Sequence, residues 1–363
     1  MPSTVFTLVA ALIAVALGVD SVFTCKNMND EAVDWYMFYK YPRQRNGQYT
    51  DPKLGTGAAF MYMDSDKPDW IYPTQLLNET NHALWFTLQQ FYENKDNVQD
   101  NFYILYNDEF PNSTIWSPSS GHQKGVALFD KQQGFWLIHS IPKFPANQSY
   151  NYPPTAYEYG QMGICISLSY ADNLAKIARQ LFFTQPFVYT MNVPTAIGTD
   201  IPQWIEILNG GHQLIQPFGN YLTLKTLKGE VFWHFAKTGL YGKDIFYDFI
   251  SKTFATDLYV QSWTHTARGN NTNNLNSTCT PGPYKVFDAD NIETPFYNFT
   301  SYRDHSKYAI AHSPYTPFPY LCIADNNRQV TQTHRGGGAL CLLNTTVFSV
   351  FSKLIATAYP CKK

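Results

Sequence analysis

His122-Gln123-Lys124-Gly125-Val126 and Asp304-His305-Ser306-Lys307 carry the same His-x-Lys triplet in two distant parts of a 363-residue chain. What surrounds the triplets decides the fold. Ahead of the first, periodicity predicts a helix over 81–93, with Leu84, Leu88 and Phe91 on one face, then a strand over 102–107. Beyond it come a strand over 126–129, the turn Lys131-Gln132-Gln133-Gly134, strands over 135–139 and 164–168, and a helix over 172–181 through Leu174, Ile177 and Leu181. The second triplet sits in a similar order. A helix over 243–256 (Ile245, Phe249, Phe254) and a strand over 258–263 lead to a loop lengthened by the Asn/Ser/Thr-rich stretch 269–280. After the triplet follow a strand over 308–311, the Pro-rich turn 313–319, a strand over 320–324 and a helix over 347–359 through Val347, Phe351, Leu354 and Ile355. One order used twice predicts an α/β (α+β) pseudo-dimer of two similar halves, each with a central mixed sheet carrying one triplet. The expected boundaries are 19–205 and 206–363, with the junction near Asn209-Gly210-Gly211.

Residues i and i+2 of a strand point to the same face. His122 with Lys124, and His305 with Lys307, are therefore expected to project as pairs and to converge on one small anion. That set suits a phosphodiester. One neutral imidazole attacks phosphorus in line, the opposite imidazolium protonates the leaving oxygen, and the lysines neutralise the non-bridging oxygens. A single His-x-Lys is as a rule a surface strand; the second copy in the equivalent position carries the reading. A polar group closes the next strand in each half: His139-Ser140 in the first, Asp325-Asn326-Asn327-Arg328 in the second. His139 is the candidate to orient the neighbouring imidazole, and Asn327 and Arg328 are the candidates for substrate contact. His82, His212, His234, His265, His312 and His334 read as packing or surface residues. The chain has no HExxH, no Walker A loop and no Gly-x-Ser-x-Gly elbow, and its scattered acidic residues argue against a two-metal site. Gly336-Gly337-Gly338 lacks a following Lys-Ser/Thr and reads as a tight turn.

Composition sets the compartment. Hydrophobic residues at 44% and charged residues at 15% give a chain that buries a large core, not a disordered tail or a coiled coil. Formal charge is −2, but protonation of the nine histidines, whose ordinary pKa is about 6.5, would make the chain cationic in an acid compartment. The apolar run from Val5 to Leu17 is too short to span a bilayer and reads as a signal peptide, residues 1–18, cut after Gly18 with Ser21 as the fallback. A lumenal or secreted route agrees with six cysteines and no CxxC pair; six cysteines allow fifteen pairings, which spacing leaves open. It agrees also with seven sequons, at Asn78, Asn112, Asn147, Asn270, Asn276, Asn298 and Asn344.

Several blocks in one order resemble the deoxyribonuclease II family along nearly the whole mature chain. They are Val33-Asp34-Trp35, Tyr106-Asn107-Asp108, His122-Gln123-Lys124-Gly125-Val126 and Gly134-Phe135-Trp136-Leu137-Ile138-His139-Ser140-Ile141-Pro142. Tyr159-Gly160-Gln161, Asp304-His305-Ser306-Lys307, Asp325 with Asn327-Arg328, and Arg335-Gly336-Gly337-Gly338 continue the match. The resemblance implies a phospholipase-D-like fold and a lysosomal or secreted endonuclease without divalent metal or other cofactor. Double-stranded DNA is the implied substrate, and 3′-phosphate and 5′-hydroxyl ends are the implied products. In family terms His122 and His305 are the paired catalytic histidines, with Lys124 and Lys307 beside them and His139 as a third implicated histidine. The family's disulfides map to Cys25–Cys165, Cys279–Cys361 and Cys322–Cys341. The wider superfamily has an Asp after each triplet; here Asp130 comes one position late and the second half has Ser313 and no Asp. Three functions compete: the acid nuclease, a secreted DNA- or glycan-binding homologue that has lost catalysis, and an enzyme for another phosphodiester such as RNA or a phospholipid. Two intact triplets favour the first. Besides DNA, a second copy of the chain is the other candidate partner, and no membrane span is expected.

Overall fold

The computed structural model describes residues 22–45, 51–263, 273–312 and 318–361. The expected signal peptide, Asn270, His265 and Ser313 lie outside them. Two large sheets organise the chain, which is mixed α and β. The first has seven strands: β1 (Trp35–Lys40), β2 (Phe60–Asp64), β3 (Phe102–Asn107), β4 (Lys124–Phe129), β5 (Gln133–His139), β6 (Gln161–Ser169) and β7 (Val188–Asn192), in the order β2-β1-β6-β5-β4-β3-β7. The second has nine: β8 (Gly219–Lys225), β9 (Val231–Lys237), β10 (Leu258–Gln261), β11 (Val286–Ile292), β12 (Phe299–Thr300), β13 (Tyr308–Ala311), β14 (Tyr320–Ala324), β15 (Gly337–Leu343) and β16 (Ile355–Ala358). Their order is β8-β9-β15-β14-β13-β10-β11-β12, with β16 also on β11. The second sheet is mixed, because β10 and β11 run parallel. In the first, all pairings among the described residues are antiparallel.

The middle of the two sheets follows one course. The run β1-β6-β5-β4-β3 of the first and β9-β15-β14-β13-β10 of the second have the same antiparallel neighbours, and β4 and β13 hold the same place in each. These are the strands that the two triplets enter.

Alternation along the strands gives each sheet two apolar faces. Trp35, Met37 and Tyr39 of β1 enter a core that also takes Ile310 of β13, Leu321 and Ile323 of β14 and Leu340 and Leu342 of β15, so the sheets share one interior. The helix α2 (Tyr170–Thr184) contributes Leu174, Ile177 and Leu181 to it at helical spacing. The opposite face of the first sheet is covered by α1 (Ala83–Asn94) through Leu84, Leu88 and Phe91. Each such side chain is worth about 1.5–3 kcal/mol when fully buried. His82 starts α1 by accepting from the Trp85 amide at 3.3 Å, a capping role for one of the histidines read as packing residues.

Two sequence expectations are corrected. The helix over 347–359 stops early: α3 spans Thr345–Phe351, capped by Asn344, and Ile355–Ala358 is strand β16, whose edge pairing with β11 overrides the helical spacing. The segment over 243–256 is helical, but its first part, Ile245–Ile250, is a π-helix, followed by an α-turn at Ser251–Phe254. Among the described residues, no helix is long and apolar enough to cross a membrane.

Candidate active site

Neither triplet lies within a strand: Lys124 is the first residue of β4, and β13 begins one residue after Lys307. The pairing of each His with its Lys therefore comes from the chain entering the strand, held by contacts to the other sheet. The His122 amide donates to the Gly336 carbonyl at 2.8 Å, just ahead of β15, and the Gly121 amide donates to Gln185 O at 2.8 Å. Gly336-Gly337-Gly338 is accordingly not a tight turn: Gly336 leads into β15, and Gly337 and Gly338 are its first two residues. A Cβ at Gly336 would stand 2.1 Å from the Thr184 carbonyl, and one at Gly338 would strike the His234 ring, so glycine lets β15 pack this closely.

Around His122 the charges are locked together. Its Nδ1 lies 2.8 Å from the carbonyl oxygen of Asp325, which can only accept, so Nδ1 carries the proton and the neutral ring keeps its lone pair on Nε2. Nε2 stands 4.0 Å from Asp108 Oδ2. The Asp108 carboxylate is ion-paired with Lys124 and accepts from Arg335 Nη2 at 3.1 Å. Burial alone would raise the Asp108 carboxyl; the charges of Lys124, His122 and Arg335 outweigh it and hold the group well below the ordinary carboxylate range. Burial, followed by the nearby Lys124 charge, pushes the His122 imidazole well below its ordinary value, with Asp108 opposing and Lys307 adding to the shift.

The second triplet is anchored differently. Asp304, just ahead of it, is fully buried and accepts from Tyr39 Oη, from Ser306 Oγ at 2.6 Å and from the Ser306 amide at 2.9 Å. The His305 amide donates to Gly160 O at 2.9 Å, and a Cβ at Gly160 would lie 2.3 Å from Asp304 Oδ1, so the close approach requires glycine. The His305 ring lies against Tyr159, stacked at 4.2 Å, and against Trp263 at 3.7 Å.

The two clusters meet. The Lys124 charge acts on Lys307, whose pKa is lowered to about 7 by burial first and by Lys124 second. Burial raises Asp325 to about 7 against the opposing pull of the Gly338 amide, Lys124 and Lys307. A cavity of about 350 Å³ is lined by His122, Asp108, Trp116, Trp263, Asn327 and Arg335 among others, so the wall that holds the His305 ring also bounds the space beside His122. All of these groups come from one chain. Among the described residues, no group of three His, Cys, Asp or Glu side chains is arranged to hold a metal ion.

The remaining sequence candidates divide. His139 ends β5 beside Lys124, its Nδ1 accepting from the Ile141 amide at 3.1 Å; burial, then Lys124, pushes its pKa down to about 3. Its Nε2 is buried and has no hydrogen-bond partner among the described residues. Asn327 lines the cavity and accepts from the Trp263 amide at 3.3 Å. Arg328, expected to contact substrate, is turned away: its guanidinium is buried on Asp244 at 2.9 Å and Asp288 at 2.7 Å. Asp108, Arg335 and Tyr159 were legible only as members of the blocks that carry the resemblance, because single residues at unrelated spacings leave no periodic signal. The three disulfides join Cys25 to Cys165, Cys279 to Cys361 and Cys322 to Cys341. Of the sequons, Asn78, Asn112, Asn147, Asn276 and Asn298 are exposed, while Asn344 uses its Oδ1 to cap α3.

Comparison with known proteins finds matches along nearly the whole chain. The family model for deoxyribonuclease II matches residues 24–361. Cell death-related nuclease 6 of Caenorhabditis elegans is 39% identical over 361 residues, covering 98% of this chain and 93% of its own. Deoxyribonuclease-2-beta of Mus musculus is 34% identical over 360 residues, 99% of this chain and 98% of its own. Plancitoxin-1 of Acanthaster planci is 33% identical over 371 residues, 99% and 100% respectively.

Proposed function

Since the chain belongs to the deoxyribonuclease II family, we propose that it is an acid endodeoxyribonuclease that cuts DNA without a divalent metal and leaves 3′-phosphate and 5′-hydroxyl ends. One observation carries the mechanism: the Asp325 carbonyl fixes the His122 tautomer with its lone pair on Nε2, facing the cavity side where Asp108, Lys124 and Arg335 cluster. His122 Nε2 attacks phosphorus, a P–N bond forms and the P–O5′ bond breaks. His305, as imidazolium, gives its proton to the departing O5′. Water then attacks the phosphohistidine with His305 taking its proton, which returns His122 and leaves the phosphate on the 3′ side. Lys124 and Lys307 neutralise the non-bridging oxygens, the work a metal would otherwise do. His139 supports Lys124 from β5, and Asn327 contacts substrate from the cavity wall.

The shared strand course of the two sheets supports reading 19–205 and 206–363 as the halves of a phospholipase-D-like pseudo-dimer, with one triplet from each. The disulfides, the exposed sequons and the apolar run at the start of the sequence support secretion or delivery to a lysosome. The test is plasmid DNA incubated with the folded protein at acid pH in excess EDTA, with end-labelling of the products. Nicking with 3′-phosphate ends is expected. Intact plasmid would leave the DNA- or glycan-binding reading in its place, and RNA or phospholipid cut faster than DNA would change the substrate.

A further inference from the structure

Between Asp108 and Ser120 the chain leaves the first sheet and makes a short hairpin. Glu109 bridges Trp116, the Phe110 amide donates to Ile115 O at 2.9 Å, and the Ser117 amide donates to Asp108 O at 2.9 Å. Three further contacts tie it down. Phe110 stacks on Phe187 at 4.2 Å, Lys143 Nζ donates to Ser113 O at 2.8 Å, and Arg335 Nη2 donates to Ser117 O at 2.9 Å. None of these uses the side chains of Ile115 or Trp116. Those two point outward, at 53% and 63% exposure, and Trp116 alone of the eight tryptophans is classed as exposed. An anchored hairpin that holds an indole in water gives up burial that the fold could have had. Both residues also line the cavity that contains His122, Asp108 and Arg335.

Next to a phosphate in DNA comes a sugar and then a base, whose flat face is the apolar part of the nucleotide. We propose that Trp116, backed by Ile115, stacks on a nucleobase flanking the scissile phosphate, so that the strand is gripped with that base out of the duplex stack. The inference rests on the nuclease reading and adds the feature of the substrate that is recognised. Stacking of this kind tolerates any base, because every base has a π-face. It predicts little preference for sequence.

Binding tests it apart from cleavage. The intact protein and its variants are titrated at acid pH with a cleavage-resistant phosphorothioate single strand, and with an abasic oligomer of the same length and backbone, both followed by fluorescence anisotropy. Trp116→Ala should weaken binding of the base-bearing strand by about 10-fold, within the roughly 5- to 150-fold range for one lost base–aromatic stack. Trp116→Phe should recover most of it and Trp116→Leu should not. The abasic oligomer should bind wild type and Trp116→Ala alike. Unchanged affinity for the base-bearing strand, or an equal loss on both oligomers, overturns the proposal. Should Trp116→Ala not fold, the Phe variant binding no tighter than the Leu variant overturns it as well. Failure of the nuclease reading would look different: a wild type that binds the strand through Trp116 yet leaves plasmid uncut.

Discussion

The imidazole of His122 donates its Nδ1–H to the backbone carbonyl of Asp325, 2.8 Å away and just past the end of β14 in the other sheet. A backbone carbonyl cannot titrate, so the tautomer stays fixed wherever the ring is neutral. His122→Ala should therefore lose the nucleophile outright, with kcat falling by at least the 10²–10⁴-fold typical of losing a positioned acid–base group. Circular dichroism should be unchanged, since the ring is not part of the apolar interior. Retained activity in a folded variant would remove His122 from the chemistry.

The pH profile follows from Lys307 and Asp325. Lys307 is lowered to about 7 and Asp325 raised to about 7, both with burial as the first cause. Below that pH the lysine is an ammonium and the carboxyl is neutral; above it the ammonium is lost and a carboxylate appears. Each change makes the site less welcoming to a phosphate. KM for DNA should rise as pH climbs through about 7, and Asp325→Asn, which keeps one of the two titrations, should show a shallower rise. A profile flat between pH 5 and 9 would contradict this.

Arg328 is a matter of stability. Replacing it by Ala leaves Asp244 and Asp288 facing each other in the interior without their cation, a loss of about 3–5 kcal/mol. Denaturant unfolding would measure it. A drop in DNA affinity at unchanged stability would instead return Arg328 to the substrate.

Tyr39 reaches across from β1 to hold Asp304. Tyr39→Phe removes one hydrogen bond from a buried carboxyl, which should cost about 1.5–3 kcal/mol and lower kcat more than it raises KM, because His305 loses its frame. Equal thermal midpoints for variant and wild type would show that Ser306 holds Asp304 unaided.

Much of this was legible in the sequence because the strongest signals repeat. Leu84, Leu88 and Phe91 gave α1, the apolar runs gave β3, β13 and β14 over the residues the structure assigns, and the two triplets led into strands that hold the same place in their sheets. Strands such as Gly219–Lys225 and Val286–Ile292 escaped because Asn220, Asp288 and Asp290 break the apolar alternation, and pairing energy comes from neighbours distant in sequence. Arg328 misled for a related reason. A cation after an apolar strand looks the same in a sequence whether it meets a phosphate or two buried aspartates. Asp108 and Arg335 stood in the blocks that carry the resemblance, but their partnership became visible only when folding set them 3.1 Å apart.

Arg335, just ahead of β15, clasps Asp108 just past the end of β3, and Gly160, at the mouth of β6, bridges Asp304 ahead of β13. No stretch of chain from one sheet alone assembles the phosphate cradle. A nascent polypeptide with only its N-terminal sheet formed carries His122 without the Asp325 carbonyl and Asp108 with Lys124 but without Arg335. The proposed chemistry is thereby withheld until the last strands close, a dependence written into topology.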